Sequence, residues 1–258
     1  MSSTTQQPKI DFQDVTRVYE VNKSEFYAVN GVNLAVADGE FITIVGPSGC
    51  GKSTLLNLAA GLDDPSAGQV LVDGLAVKGP GPDRGVIFQQ YALFPWLTVR
   101  KNVEFGLKVA KVSATERRHR AQEVIELVGL TDFAESLPKT LSGGMKQRCA
   151  IARAYAANPN LLLMDEPFGA LDALTRVRMQ EQLLETWSKQ RRTVLFITHD
   201  VDESVYLANR VVVMAARPGR IKEVIEVPLP YPRTEETRLS PAFVEIRNRV
   251  WHAVYHQE

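Results

Sequence analysis

The sequence predicts an α/β fold built on a mainly parallel sheet, and three features point there. LLLMDE at 161–166, TVLFITHD at 193–200 and RVVVMA at 210–215 are near-continuous apolar runs. Strands buried on both faces read this way, whereas strands with one wet face alternate. Helical segments separate the runs, which is how parallel strands are joined. The third feature is FITIVG at 41–46, which follows an Asp38-Gly39 turn and enters the helix TLLNLAAGL through a glycine-rich loop.

In chain order, IDFQDVTRVY and VNLAV alternate or cluster apolar residues as strands do. TLLNLAAGL is predicted to stop at Gly61, and short strands are expected near QVLVDG and RGVIFQ. The apolar spacing of TVRKNVEFGLKV and ATERRHRAQEVIELVGL predicts two helices, the second stopped by Gly129. Another helix should run from about Gly144 through IARAYAAN until Pro159. From Arg217 to Pro241 the chain is rich in proline, and PAFVEIRNRVWHAVY then reads as a short amphipathic helix.

At 258 residues the chain is long enough for one large domain, or a domain with a subdomain. Its 30 basic and 30 acidic residues balance, so no overall field draws nucleic acid or anionic lipid. The run Arg117, Arg118, His119, Arg120 reads as a solvated helix face. Cys50 and Cys149 lie far apart and form no metal-type pair, which fits a reducing compartment. MSSTTQQP lacks an apolar core, so no signal peptide is expected. VVVMAA at 211–216 is far too short to cross a bilayer. A soluble cytoplasmic chain is the expectation.

Gly46-Pro47-Ser48-Gly49-Cys50-Gly51-Lys52-Ser53 fits GxxxxGK[ST] between a strand and a helix, the context that motif requires. Glycines let the backbone wrap phosphates and turn N–H groups inward, and the helix N-terminus adds positive potential. Lys52 would reach the β- and γ-phosphates, Ser53 would ligate Mg²⁺, and Thr54 adds a hydroxyl. Cys50 reads as a small filler of the loop.

Asp165 and Glu166 end a buried strand, a costly place for charge without a cation or polar partner. Asp165 suits Mg²⁺, directly or through water, and Glu166 suits orienting and deprotonating an attacking water. Read alone, the pair could simply cap the next helix, but the glycine loop upstream favours the catalytic reading. His199 also follows a strand, at the kind of edge where open parallel sheets bind ligands, and a γ-phosphate contact fits it. Gln89 ends RGVIFQ, where its amide could meet Mg²⁺ or the attacking water, or do neither.

LSGGMKQR at 141–148 opens a second helix on a glycine pair, yet no lysine follows in the way Lys52 follows the first. In this order the motifs resemble the nucleotide-binding subunits of ABC (ATP-binding cassette) transporters. GPSGCGKS matches the Walker A loop, Gln89 the Q-loop, LSGGMKQR the signature, LLLMDE the Walker B strand, GALD at 169–172 the D-loop and His199 the switch histidine. The resemblance covers about residues 9 to 230. It implies a P-loop ATPase domain over 9–235 with a RecA-like, mainly parallel core. An N-terminal antiparallel β subdomain and an inserted helical subdomain at about 92–157 go with it, leaving 236–258 as a short tail.

In that family two subunits pack head to tail, with each ATP between one Walker A loop and the other signature. Ser142, Gly143 and Gly144 would then meet a γ-phosphate held by the partner, which already supplies Lys52. Asp172 would lie across the same interface. Met145 stands where many relatives have glutamine, so a ribose contact there is in doubt. Tyr19, in VTRVYE, is the expected aromatic against adenine; VNKSEFYAV after it is longer than usual, so Phe26 and Tyr27 remain alternatives.

GPGPDRGVIFQQYALFPWLTVRKNVEFGL is similar to the subfamily that imports nitrate, sulfonates, taurine or related anions, bicarbonate among them. The resemblance implies separate permease subunits, a binding protein that delivers solute, and a place on the cytoplasmic face of the inner membrane. Residues 91–97 would receive the permease's coupling helix, with Phe94 and Trp96 exposed as anchors or else buried in the subdomain's core. The rival readings are a soluble ABC ATPase of DNA repair, chromosomes or ribosomes, and the ATPase of a release or division complex. The first usually carries coiled coils, zinc modules or two cassettes, none of which stands here.

Overall fold

The computed structural model describes residues 7–256, which group into two compact units. One unit holds the residues up to Gly81 and those from Leu183 on, and the other is Pro82–Gln182.

The first unit opens with a hairpin of β1 (Ile10–Val21) and β2 (Ser24–Val36). Its two turn residues, Asn22 and Lys23, have φ of 52° and 64°, the left-handed pair that a two-residue hairpin demands. The long stretch VNKSEFYAV is therefore hairpin, and β1 runs past Tyr19 to Val21. β3 (Phe41–Val45) is buried throughout and feeds α1 (Lys52–Ala60), which ends on Gly61 in the left-handed conformation. β4 (Ala67–Val72) and the short β5 (Leu75–Ala76) complete an antiparallel sheet of order β2-β1-β4-β5.

The second unit begins with β6 (Arg84–Ile87), followed by α2 (Val99–Val109), α3 (Ala114–Leu127) and α4 (Gly143–Ala156). Val103, Leu107, Ala121, Ile125, Cys149 and Ala152 are buried in this helical cluster. Each large aliphatic among them stabilises it by about 1.5–3 kcal/mol. The fully buried Asn102 amide donates to the carbonyls of Phe94, Leu97 and Thr98 and accepts from the Phe94 N–H. It pins residues 94–98 to α2. β7 (Leu161–Asp165) pairs in parallel with β6, and α5 (Ala173–Gln190) follows.

Back in the first unit come β8 (Thr193–Ile197), α6 (Val201–Leu207), β9 (Arg210–Ala215) and β10 (Arg220–Glu226). Its strands lie in the order β10-β9-β3-β8, with β3 parallel to β8 and β9 and with β10 antiparallel at the edge. No apolar run announced β10, because only Ile225 is buried and its other residues are exposed or half-buried, as in an edge strand. α7 (Glu235–Leu239) and α8 (Pro241–Tyr255) end the fold. Buried Arg233 ties the preceding proline-rich segment down by donating to the carbonyls of Val205, Tyr206 and Leu229. Among the described residues no helix is long and apolar enough to cross a membrane.

Candidate functional site

The loop at 46–53 joins β3 to α1 and is shaped by its glycines. Gly51 has φ of 91°, and a Cβ there would sit 2.5 Å from the Ala28 carbonyl oxygen, so only glycine fits. α2, α3, α4, α6 and α8 each start with a side chain capping a backbone N–H, but α1 does not. An end with no side-chain cap, together with the helix dipole, suits an anion. The Lys52 ammonium lies within the loop, donating to the carbonyls of Gly46 at 2.9 Å and Pro47 at 3.0 Å. Ser53 is exposed beside it and Thr54 half-buried. Burial pushes the Cys50 thiol up, against the opposing pull of the Lys52 charge.

Exposed His199 follows β8 and lines a cavity of about 330 Å³ with Gly46, Pro47 and Ser48. Val254 and Tyr255 from the end of α8 line it too. The tail thus reaches the phosphate loop, a placement no motif in the tail signals.

In the second unit Asp165 ends β7, half-buried, and Glu166 follows with φ of 45°. A glutamate held in that left-handed region costs about 1–3 kcal/mol, and such strain collects at sites where a side chain must point one way. Gln89, two residues past β6, donates from Nε2 to Glu166 Oε2 at 3.0 Å. Ser142 caps α4, its Oγ accepting from the Met145 N–H at 3.3 Å, and Ser142 and Gly143 are exposed. The Tyr91 hydroxyl lies 3.0 Å from where a Cβ on Gly143 would be, which puts the segment after Gln89 against the start of α4. Asp172 caps α5 through the Thr175 N–H at 2.9 Å, and that bond holds its carboxyl below the usual range.

Tyr19 is half-buried in β1, directly opposite Phe26, so the two side chains leave the same sheet face. Tyr27 pairs with Val18 on the other face and donates to Glu25. Phe94 is not an exposed anchor. It is half-buried, its ring 4.4 Å from Phe105 and under the Arg153 guanidinium, whereas Trp96 is 72% exposed. Asn102 holds the backbone of Phe94 and Leu97, on either side of the exposed Trp96.

Residues 29–169 match the model of the ABC transporter family. The chain belongs to that family. It is 69% identical over 97% of its length to a putative ATP-binding protein of Brucella abortus, covering 95% of that protein. It is 51% identical to the nitrate import ATP-binding protein NrtD of Synechocystis sp., covering 86% of this chain and 83% of NrtD. With the aliphatic sulfonates import ATP-binding protein SsuB of Bacillus cereus the identity is 44%, over 93% and 94%. Among solved structures, the dimeric structure of the bacterial ABC transporter cassette MJ0796 matches with a TM-score of 0.79 and 35% identity. It covers 86% of this chain and all of that one. A dimeric post-hydrolysis state of MJ0796, bound to ADP and Pi, matches equally well at 34% identity. The ABC ATPase fold predicted from the motifs is therefore the fold of this chain.

Proposed function

We propose that this ABC ATPase hydrolyses ATP to ADP and phosphate as the energising subunit of an importer for a small anion. Nitrate, a sulfonate, taurine or a bicarbonate-like ion is the solute class, and a separate permease carries it. The likeness to NrtD and SsuB supports the branch. The observation that carries hydrolysis is Glu166, held by Gln89 at the head of a buried strand. The chain works as a pair, with an identical or paralogous cassette, on the cytoplasmic face of the inner membrane through its permease. A binding protein delivers solute, and nucleic acid plays no part.

The triphosphate lies on Gly46, Pro47, Ser48, Gly49, Cys50, Gly51 and the first turn of α1. Lys52 moves its ammonium from the Gly46 and Pro47 carbonyls to the β- and γ-phosphates, and Thr54 adds its hydroxyl. Ser53 Oγ, the Asp165 carboxylate and the Gln89 amide oxygen, left over when Nε2 donates to Glu166, are hard donors that fit Mg²⁺. When bound, the ion neutralises charge building on the phosphate oxygens. Glu166 orients and deprotonates the attacking water, and His199 contacts the γ-phosphate. Ser142, Gly143 and Gly144 of one subunit offer a hydroxyl, N–H groups and a helix dipole to the γ-phosphate held by the other. Asp172 borders the same interface. Tyr19 stacks on the adenine, and Trp96 meets the permease.

The test is reconstitution with candidate permease subunits and a binding protein in proteoliposomes. ATP-dependent accumulation of nitrate or a sulfonate, lost in Glu166→Gln, is expected. ATPase activity that ignores the membrane subunits would favour the soluble reading instead.

A further inference from the structure

Tyr19 is held by two residues that no nucleotide motif contains. Its hydroxyl donates to Asp63 Oδ2 at 2.6 Å. The same carboxylate takes Arg17 Nε at 3.0 Å, and its other oxygen pairs with an Arg17 terminal nitrogen at 2.6 Å. The Arg17 guanidinium carbon then sits 4.6 Å from the centre of the Tyr19 ring. Arg17 and Asp63 side chains are only 24% and 20% exposed, so this is a packed cluster and not a surface pair.

Two consequences follow. A fork-like arginine pair on a carboxylate that also binds the phenol fixes the ring's tilt as well as its position. The cation covers one ring face, which leaves the other for a flat partner. Asp63 also stands three residues past the end of α1, whose first turn is in the phosphate loop. A helix of nine residues is about 13 Å long and stiff. The cluster therefore ties the aromatic ring to the far end of the element that starts at the phosphates. Phe26 and Tyr27, both more than 40% exposed, have no comparable hold.

We infer that Asp63 and Arg17 are positioning residues for nucleotide binding, fixing the Tyr19 ring at a set distance and tilt from the phosphate loop. This rests on the stacking of Tyr19 against adenine. The prediction is specific to the base, because none of the groups proposed to hold the phosphates belongs to the cluster.

Binding of ATP and of inorganic tripolyphosphate is to be compared by calorimetry for the full chain and for Asp63→Ala, Asp63→Asn, Arg17→Ala, Tyr19→Phe and Tyr19→Ala. Asp63→Ala should weaken ATP about tenfold, the loss of a charge-assisted hydrogen bond, and leave tripolyphosphate within twofold. In turnover the loss should fall on KM more than on kcat. Asp63→Asn, which keeps one acceptor for the phenol but loses the charge and the second oxygen that Arg17 uses, should recover only part of it. Tyr19→Phe removes only the hydroxyl and gives the same contrast if Asp63→Ala does not fold. Equal loss for both ligands would make the cluster merely structural and overturn the inference. Loss of ATP affinity in Tyr19→Ala with none in Asp63→Ala, Arg17→Ala or Tyr19→Phe would keep the stacking and sink the positioning. No loss in Tyr19→Ala would remove the stacking and the inference together.

Discussion

Gln89 Nε2 donates to Glu166 Oε2 across 3.0 Å, joining the segment after β6 to the residue after β7. These parallel neighbours deliver an amide and a carboxylate to the same strand ends. Glu166 Oε2 is engaged by Gln89, and the backbone at φ 45° constrains where the carboxylate can point. A group that must take a proton from water gains from being held this way.

Glu166→Gln should retain ATP binding and slow hydrolysis by about 10²–10⁴-fold, the usual worth of a general base. It should also accumulate an ATP-bound dimer on size-exclusion chromatography. Gln89→Ala, which releases the Glu166 carboxylate and removes a proposed Mg²⁺ donor, should lower kcat about tenfold or more. Near-normal turnover in Glu166→Gln would take the residue out of the role.

With the signature serving the partner's γ-phosphate, as proposed, Ser142→Arg should block hydrolysis without weakening ATP binding to the isolated chain. Lys52→Ala should abolish binding at its own loop. Mixing the two variants should restore part of the activity, since one composite site then carries both lesions and the other neither. Equal loss of ATP affinity in Ser142→Arg would place the signature and the loop in a site within one subunit.

The cysteines should resist alkylation. Burial pushes the Cys149 thiol up to about 12 and raises that of Cys50, so both stay protonated near neutrality. Iodoacetamide at pH 8 should label the native chain far more slowly than the unfolded one. The same shift works on stability. An unfolded thiol ionises near pH 8.5, so the advantage of the buried Cys149 is complete below that pH. It declines as pH rises from there toward about 12. Fast labelling of both thiols in the folded chain would contradict their burial.

Trp96→Ala should weaken co-purification with the permease and leave thermal stability unchanged, since the ring is exposed. Phe94→Ala should do the reverse first, lowering stability by about 1–3 kcal/mol through lost contact with Phe105 and Arg153. Thermal unfolding measured beside pull-down from membranes separates the two.

Much of the fold was legible because it depends on local signals. Apolar runs marked β7, β8 and β9, and the spacing of Gly51, Lys52 and Ser53 after FITIV marked the loop. Turn chemistry was harder to read. Asn22-Lys23 is not a standard hairpin pair, so the extension of β1 and β2 went unseen. The half-exposed edge strand β10 lacked the apolar run that marks a buried one. Phe94 packs inward against Phe105 and Arg153 while Trp96 projects, a choice made by residues 11 and 59 positions beyond Phe94. The Arg17–Tyr19–Asp63 cluster and the approach of Tyr255 to Ser48 join residues far apart in the chain, and neither has a motif.

The pairing of two chains around each ATP is tested most directly by ATPase activity per chain over a dilution series crossing dimer dissociation, with oligomeric state followed by mass photometry. Activity per chain should fall toward zero as dimers vanish and return on reconcentration. A rate per chain that stays constant in a population of monomers would contradict it.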